Sequence, residues 1–352
     1  MYRALIAALA MTSLAVVTSH AAPSHYDGFT YTTGDLTGEN GGSGWGGAYT
    51  DSGNSTVADS VGLAGGLLVT SPGSVRTADG GTATTLNFRS LGTVLGDDET
   101  ETWISFLARR NGNTSTALFA GVSFYNSNGN AAADGEVSFA PFNAGTPYAW
   151  RILDLGLTQS TNSTAVVAPD VTDLIVARIV WNTPDAGIPG LANAGSDAVY
   201  LFVNPDLGMG TPLTSQANAA RNVSMTNIDK VRIAGQNGVD FSFDELRLGP
   251  AFADVTPTIP PVVDFVAPAG VGLEDFEALR SNYLTGTINA QGDANLDGKV
   301  NQVDFFLWRT AYLAGGGSLE GVSLAIPEPA TGLMAIIALA AGHGMRRARR
   351  RR

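Results

Sequence analysis

The residues best equipped for chemistry stand near the C-terminal end, in the stretch GDANLDGKVNQVD from Gly292 to Asp304. Oxygen-bearing side chains recur at alternate positions, Asp293, Asn295 and Asp297, ahead of Gly298. A hard divalent cation asks for that spacing: donors at loop positions 1, 3 and 5, a glycine at 6 to turn sharply, a backbone carbonyl at 7 and a carboxylate at 12. Lys299 holds position 7, where only the carbonyl serves and the ammonium can point to solvent. Asn301, at position 9, is expected to ligate directly or through water, and Asp304 closes the loop. One calcium ion is therefore expected here, held by Asp293, Asn295, Asp297, Lys299, Asn301 and Asp304.

The loop belongs to a repeat. DFEALRSNYLTG, from Asp275, and DFFLWRTAYLAG, from Asp304, share six of twelve residues at an offset of 29. Asp264 and Asp275 keep positions 1 and 12 of the earlier loop, but Val266 and Pro268 replace the donors at 3 and 5, so a second ion is not expected there. Two such EF-hand-type loop–helix units resemble a type I dockerin over residues 264–315. That resemblance implies a calcium-dependent fold and a cohesin-like partner, recognised through loop positions 10 and 11. Those positions are Gln302 with Val303 and Leu273 with Glu274, two dissimilar pairs. A structural role is equally open, with calcium fastening two helices too short to hold a core unaided. Phe276, Leu279 and Tyr283 are then expected to pack against Phe305, Trp308 and Tyr312.

Other chemistry is sparse. Without cysteine there are no disulfides, thiolate nucleophiles or Cys-ligated zinc. Of three histidines, His20 and His343 lie in terminal segments expected to be removed, leaving His25 in a flexible N-terminal region. The Glu-x-Asp-x-x-Glu strand of laminarinase-type hydrolases is missing; DDETE reads as an exposed turn and LEDFE as part of a helix. No catalytic constellation is therefore expected, and a binding role needs only an exposed aromatic face. Trp45 and Tyr49 in GGSGWGGAY, with Tyr148 and Trp150 beyond a loop, could stack on sugar rings, or could pack in a core. Trp103 and Trp181, in strongly apolar strands, are expected inside.

The elements that must carry these groups follow from periodicity. In ETWISFLARR, Trp103, Ser105, Leu107 and Arg109 fall on one face and Ile104, Phe106, Ala108 and Arg110 on the other. Similar runs recur through residues 26–252, separated by glycine-rich turns, and about ten strands of this kind predict an antiparallel two-sheet sandwich. The opening YDGFTY and closing FDELRLG are expected to meet. With RSLGT and AVYLFVNP, these runs resemble the concanavalin-like, or laminin-G-like, jelly roll, which implies a fold rather than a chemistry. The expected order is thus a mainly β sandwich over 26–252, a Pro-rich linker over 253–263, and the small α-helical dockerin-like module over 264–315.

The termini speak of export. Arg3, an apolar run from Ala4 to Val17 and the small residues near Ala21 predict a signal peptide over 1–21, cut by signal peptidase. At the other end Pro327-Glu328-Pro329 precedes sixteen weakly polar residues and RRARRRR. As a helix that run spans about 24 Å, a short transmembrane segment with arginines snorkelling at one end. The three parts resemble the PEP-CTERM sorting signal over residues 326–352, which implies recognition of Pro327, Glu328 and Pro329 by an exosortase and a transient C-terminal membrane anchor; a permanent anchor is the alternative. The chain carries a formal net charge of −12, with six of its arginines in the last seven positions. Its acidic body excludes nucleic acid as a partner and favours an extracellular polysaccharide or none. The sequence thus predicts a secreted, non-catalytic carbohydrate-binding or adhesion protein of the cell surface or matrix, the rivals being a polysaccharide-processing enzyme and a purely structural envelope protein.

Overall fold

The computed structural model describes residues 22–322, apart from 52–55, 78–83, 97–99, 113–118, 127–135, 143–147, 155–158, 191–195, 226, 237–238 and 297. The strands in chain order are β1 (His25–Asp27), β2 (Gly34–Asp35), β3 (Thr50–Asp51), β4 (Val57–Asp59), β5 (Ser74–Arg76), β6 (Thr85–Leu95), β7 (Glu101–Arg110) and β8 (Ala120–Tyr125). They continue with β9 (Glu136–Phe139), β10 (Ala149–Asp154), β11 (Gln159–Val166), β12 (Thr172–Val180), β13 (Asp197–Val203), β14 (Ala219–Val223), β15 (Ile228–Gly235) and β16 (Phe241–Gly249). Three helices follow: α1 (Phe252–Val255), α2 (Leu273–Ser281) and α3 (Gln302–Ala314). The protein is a mainly β, antiparallel sandwich with a small helical C-terminal region. One sheet runs β14-β13-β12-β7-β16-β5-β4-β2 with β1 also on β16; the other runs β11-β10-β9-β8-β15-β6-β3. Sequence periodicity finds fewer strands because those of two or three residues carry no period.

Side-chain alternation fills the space between the sheets. Ile104, Phe106 and Ala108 of β7 meet Val122, Phe124, Trp150, Ile152, Phe241 and Phe243 in one central core. The opposite face of β7 is not solvated: Trp103 and Leu107 join Leu63, Leu68, Phe202, Phe252 and Val255 in a second core outside the nine-stranded sheet. Each buried aromatic or leucine contributes about 2 kcal/mol. Trp103 and Trp181 are buried, as expected from their strands. The terminal strands meet: His25, Tyr26 and Asp27 pair with Leu248, Arg247 and Leu246.

Two expectations need correction. His25 is not in a loose N-terminal region: it is buried in β1, its Nε2 lies 2.9 Å from the Leu91 carbonyl, and burial lowers its pKa. The expected linker at 253–263 is ordered by packing instead: residues 253–259 lie on the sandwich, while Val262 and Val263 join the helical region through Val262 N to the Ala294 carbonyl and the core of Phe276 and Trp308. Phe252 and Val255 of α1 are apolar and bury on β7, Ser105 donates to the Val255 carbonyl, and the chain then pairs with residues 67–69 through Val69 N–H to Pro257 O and Ile259 N–H to Leu67 O, both 2.8 Å. Proline lacks a donor but keeps its carbonyl, so a Pro-rich stretch can still accept from a neighbour.

Beyond it, Phe276 of α2 stacks on Trp308 of α3 with ring centroids 4.9 Å apart, and Trp308 stacks on Tyr312 at 5.1 Å. Leu279, Phe305 and Val300 complete this third core, with Tyr283 against its rim. No described helix is long and apolar enough to cross a membrane. The signal peptide at 1–21 and the sorting signal at 326–352 lie outside the described residues.

Candidate functional site

The 293–304 loop is built around one buried carboxylate. Asp304 opens α3 and is 0% exposed; its Oδ1 accepts from Ala294 N at 2.8 Å and Asn295 N at 3.2 Å, and its Oδ2 from Asn301 N at 2.7 Å. Asp293 is also buried, and its Oδ2 accepts from Gly298 N at 2.9 Å. Gly298 has φ of 79°, a left-handed conformation that a side chain would strain, so the glycine at position 6 serves the turn. Lys299 is exposed, in keeping with a contribution through its carbonyl alone. Burial, with three opposing hydrogen bonds and a smaller push from Asp293, raises the Asp304 carboxyl to about 6.

The earlier loop repeats the frame residue for residue. Asp275 accepts from Phe265 N, Val266 N and Gly272 N, which correspond at the same offset to Ala294, Asn295 and Asn301. Asp264 Oδ2 likewise accepts from a loop amide, Gly270 N at 2.8 Å, but Asp264 is exposed where Asp293 is buried. The second loop alone therefore closes two buried carboxylates on each other. Asn301 has a different employment from the one expected: its side-chain oxygen accepts from Val303 N at 2.8 Å and caps α3. Asp297 lies outside the described residues, among which no group of three or more acidic, His or Cys side chains is disposed to hold a metal. The side-chain oxygens that remain, on Asp293, Asn295 and Asp304, are hard donors of the kind a calcium ion takes.

Of the four aromatics that could have formed a platform, Tyr49, Tyr148 and Trp150 pack inside. Tyr49 is buried with its hydroxyl on Asp27 at 3.1 Å, and Arg89 lies between Tyr49 and Trp45, 4.8 and 4.9 Å from their ring centres. Trp45 is half-buried and its Nε1 donates to the Tyr26 carbonyl at 2.9 Å. These rings clasp a guanidinium that ties the glycine-rich segment down, and Tyr49 offers sugars no face. Trp150 is fully buried, donating to Asp173 at 2.8 Å, because alternation along β10 turns it and Ile152 inward; Tyr148 packs inside under Arg110.

The same alternation exposes what sequence reasoning missed. Between Trp150 and Ile152 stands Arg151, and between Val231 and Ile233 stands Arg232; both must face outward from the seven-stranded sheet. Along that face β8, β9 and β15 set Ser123 opposite Ser138 and Arg232. Ser123 Oγ is 2.7 Å from Ser138 Oγ, Ser138 donates to Glu136 at 3.1 Å, and Arg232 bonds both Ser123 and Glu136. Tyr125 lies edge-on to Phe88 at 6.3 Å and beneath Lys230 at 5.9 Å. Burial pushes the Tyr125 phenol up and keeps it neutral. A lone arginine inside each of two apolar strands is the signal that marks this polar face.

No family model matches the sequence, and no curated protein matches it. Among solved structures, an alginate lyase mutant in complex with alginate tetrasaccharide aligns over 65% of this chain and 98% of its own, at 13% identity and TM-score 0.38. A Lotus tetragonolobus seed lectin covers 55% of this chain and 96% of its own, at 10% identity and TM-score 0.32. A cellulose-induced protein covers 63% of this chain and 98% of its own, at 8% identity and TM-score 0.38.

Proposed function

We propose that the chain is an exported surface or extracellular-matrix protein whose concanavalin-like, jelly-roll sandwich retains a polysaccharide without cleaving it, and whose dockerin-like module folds around one calcium ion. The observation that carries the binding role is the outer side of the seven-stranded sheet, where the part-exposed Lys230, Arg232 and Phe88 lie beside the buried polar cluster of Ser123, Ser138 and Glu136. Sugars are recognised by such mixtures of side-chain hydrogen bonds and ring contacts. Hydrolysis needs a pair of carboxyl groups free to act across a bond. Glu136 is instead committed as an acceptor to Arg232 and Ser138, which favours retention. A glycan array probed with the full chain, alongside reducing-sugar release from the glycans retained, separates the readings. Retention without release supports a binding protein; release would make it an enzyme, and no retention would leave a structural envelope protein.

For calcium, Asp293, Asn295, Asp297 and Asp304 would supply side-chain oxygens and Lys299 its carbonyl, neutralising carboxylates that otherwise face each other in a buried loop. Calorimetry should show one site, with a dissociation constant on the order of micromolar to millimolar. Asp297→Ala should abolish it, while Asp264→Ala should leave it unchanged. Two equivalent sites would overturn this assignment. A cohesin-like partner is a weaker reading, since the recognition pairs of the two loops differ. Export is read from the termini: in cells with an exosortase, mass spectrometry should find a form lacking Ala330 to Arg352, and Glu328→Ala should block its release. An intact tail in such cells would instead mean a permanent anchor.

A further inference from the structure

One side of α3 stays open to solvent at the end of the molecule from which the chain runs on toward its tail. At about 100° per residue, Gln302, Phe306, Arg309, Thr310 and Leu313 fall within a single arc of about 100°. All five are exposed, Phe306 by 37% and Leu313 by 43%. The opposite side of the helix sends Phe305 and Trp308 into the core shared with α2, and its one acid, Asp304, is buried there. At the flank of the arc Leu307 packs against Gly208, beside Met209, which is also exposed. The arc thus holds two large apolar side chains, one arginine and no acid, in a chain of 32 acidic against 20 basic residues. What lies beyond α3 restricts what can meet it. Gly317 N donates to the Tyr312 carbonyl, the Tyr312 hydroxyl donates to the Ser318 carbonyl, and Leu319 packs on the same core, so the chain turns back on the end of α3. Val322 follows closely, and seven residues, 323–329, separate it from the apolar run that starts at Ala330. Fully extended, that tether spans at most about 28 Å.

We propose that this face of α3 rests on the lipid surface while the tail is anchored, with Phe306 and Leu313 in the boundary between headgroups and acyl chains and Arg309 among the phosphates; this rests on the membrane-anchor reading of the tail above. A helix face that combines aromatic and leucine side chains with a cation is the kind that lies in a bilayer interface. Arg309 can lay its methylene stem along the apolar boundary and keep its guanidinium in the headgroup layer. From Phe306 to Leu313 the arc runs only about 10 Å. A protein partner would need a larger patch with pockets for its anchors, whereas a bilayer deforms to fit a small convex face. So short an arc on an acidic chain would hold a free protein to a membrane only weakly. The tether removes that weakness, because it confines α3 to the neighbourhood of the bilayer and makes the contact intramolecular. Seated in this way, α3 would keep Pro327-Glu328-Pro329 at the membrane surface, where an exosortase would meet it.

The chain has no cysteine, so a single introduced one can be labelled uniquely. The test uses the full chain held by its own tail in vesicles of phosphatidylethanolamine with a minor share of phosphatidylglycerol, calcium being present. A nitroxide at Thr310→Cys reports on the arc, and one at Ser160→Cys, exposed on β11, serves as reference. On insertion the Thr310 label should lose at least threefold in its access to a water-soluble relaxing agent and gain access to dissolved oxygen, while the Ser160 label should change in neither. The form lacking Ala330 to Arg352 should show no such change with the same vesicles. Phe306→Ser combined with Leu313→Ser should restore water access at Thr310 although the chain still floats with the vesicles and its unfolding temperature is unchanged. If that double variant does not fold, the label on the otherwise unaltered helix decides. A chain that floats while its Thr310 label stays as open to water as before would overturn the inference and leave the anchor standing; a chain that fails to float would overturn both. Shielding that grows with the number of chains per vesicle would assign the face to a second copy of the chain and overturn the lipid surface as its occupant.

Discussion

Arg89 shows how a residue that attracts no notice in the sequence can organise a whole segment. Its Nη1 reaches Asp27 at 2.5 Å, its Nε the Gly47 carbonyl at 2.8 Å and its Nη2 the Gly41 carbonyl at 2.7 Å, while Trp45 and Tyr49 cover its faces. Arg89→Met should therefore strand Asp27 and lower stability by about 3–5 kcal/mol, measurable by urea unfolding. Trp45→Ala should lower the unfolding temperature and leave glycan retention intact, the opposite of what a sugar platform would give. Two buried acids set a pH dependence at the same scale. Burial raises Asp197 to about 6, against hydrogen bonds from Asn182 and Met225, and raises Asp244 to about 8, against one from Leu63. Both folded values lie above the ordinary carboxylate pKa, so the folded state holds the extra protons. Their stabilisation is complete below about pH 4 and is lost as pH rises through about 6 and then about 8. Unfolding temperature should fall across that window, and Asp244→Asn should flatten its upper half; a stability that rises with pH there would contradict the assignment.

At the scale of elements, α1 is the piece whose role the chain's composition conceals. Four residues cannot hold a helix by propensity. Phe252 meets Trp103 edge-on at 5.4 Å and Val255 is fully buried, so packing does the work. Phe252→Ala should lower the stability of the sandwich itself by about 3–5 kcal/mol, whereas a change in a free linker would leave it untouched. The same measurement distinguishes the two. In β16, a bulge between Asp244 and Arg247 puts Glu245 at φ of 55° and aims its carboxylate at Ser71, Tyr26 and Arg247. The FDELRLG pattern announces a strand but not its bulge, because two of the partners that hold Glu245, Ser71 and Tyr26, lie more than 170 residues away in sequence.

For the molecule as a whole, the 293–304 loop is not remote from the sandwich. Asn295, Gly298, Lys299 and Val303 line a cavity of about 580 Å³ together with Gly66, Leu107, Leu174 and Asp206 of the sandwich. Folding of the loop around an ion should therefore be felt across that boundary. Calcium should slow amide exchange around residues 64–67 and 204–207 as well as in α3, and chelation should reverse it; protection confined to α2 and α3 would mean that the two parts fold independently.

By itself the sequence determined the mainly β sandwich, the meeting of its terminal strands, the helical repeat at its end and the tight turn at Gly298. Those features are set by short-range rules: period-two alternation, glycine at a forced turn, and acids at fixed spacing. Tertiary structure alone decided which aromatics are available and where the polar face lies. Trp150 and Arg151 are neighbours in the chain, yet one closes the core and the other enters an outer polar face, because a strand sends successive side chains to opposite sides and only the second sheet says which side is inside. The same holds for residues 253–259. Their prolines read as a linker, and only the apolar surface of β7 and the carbonyls and amides of residues 67–69 turn them into a packed strap.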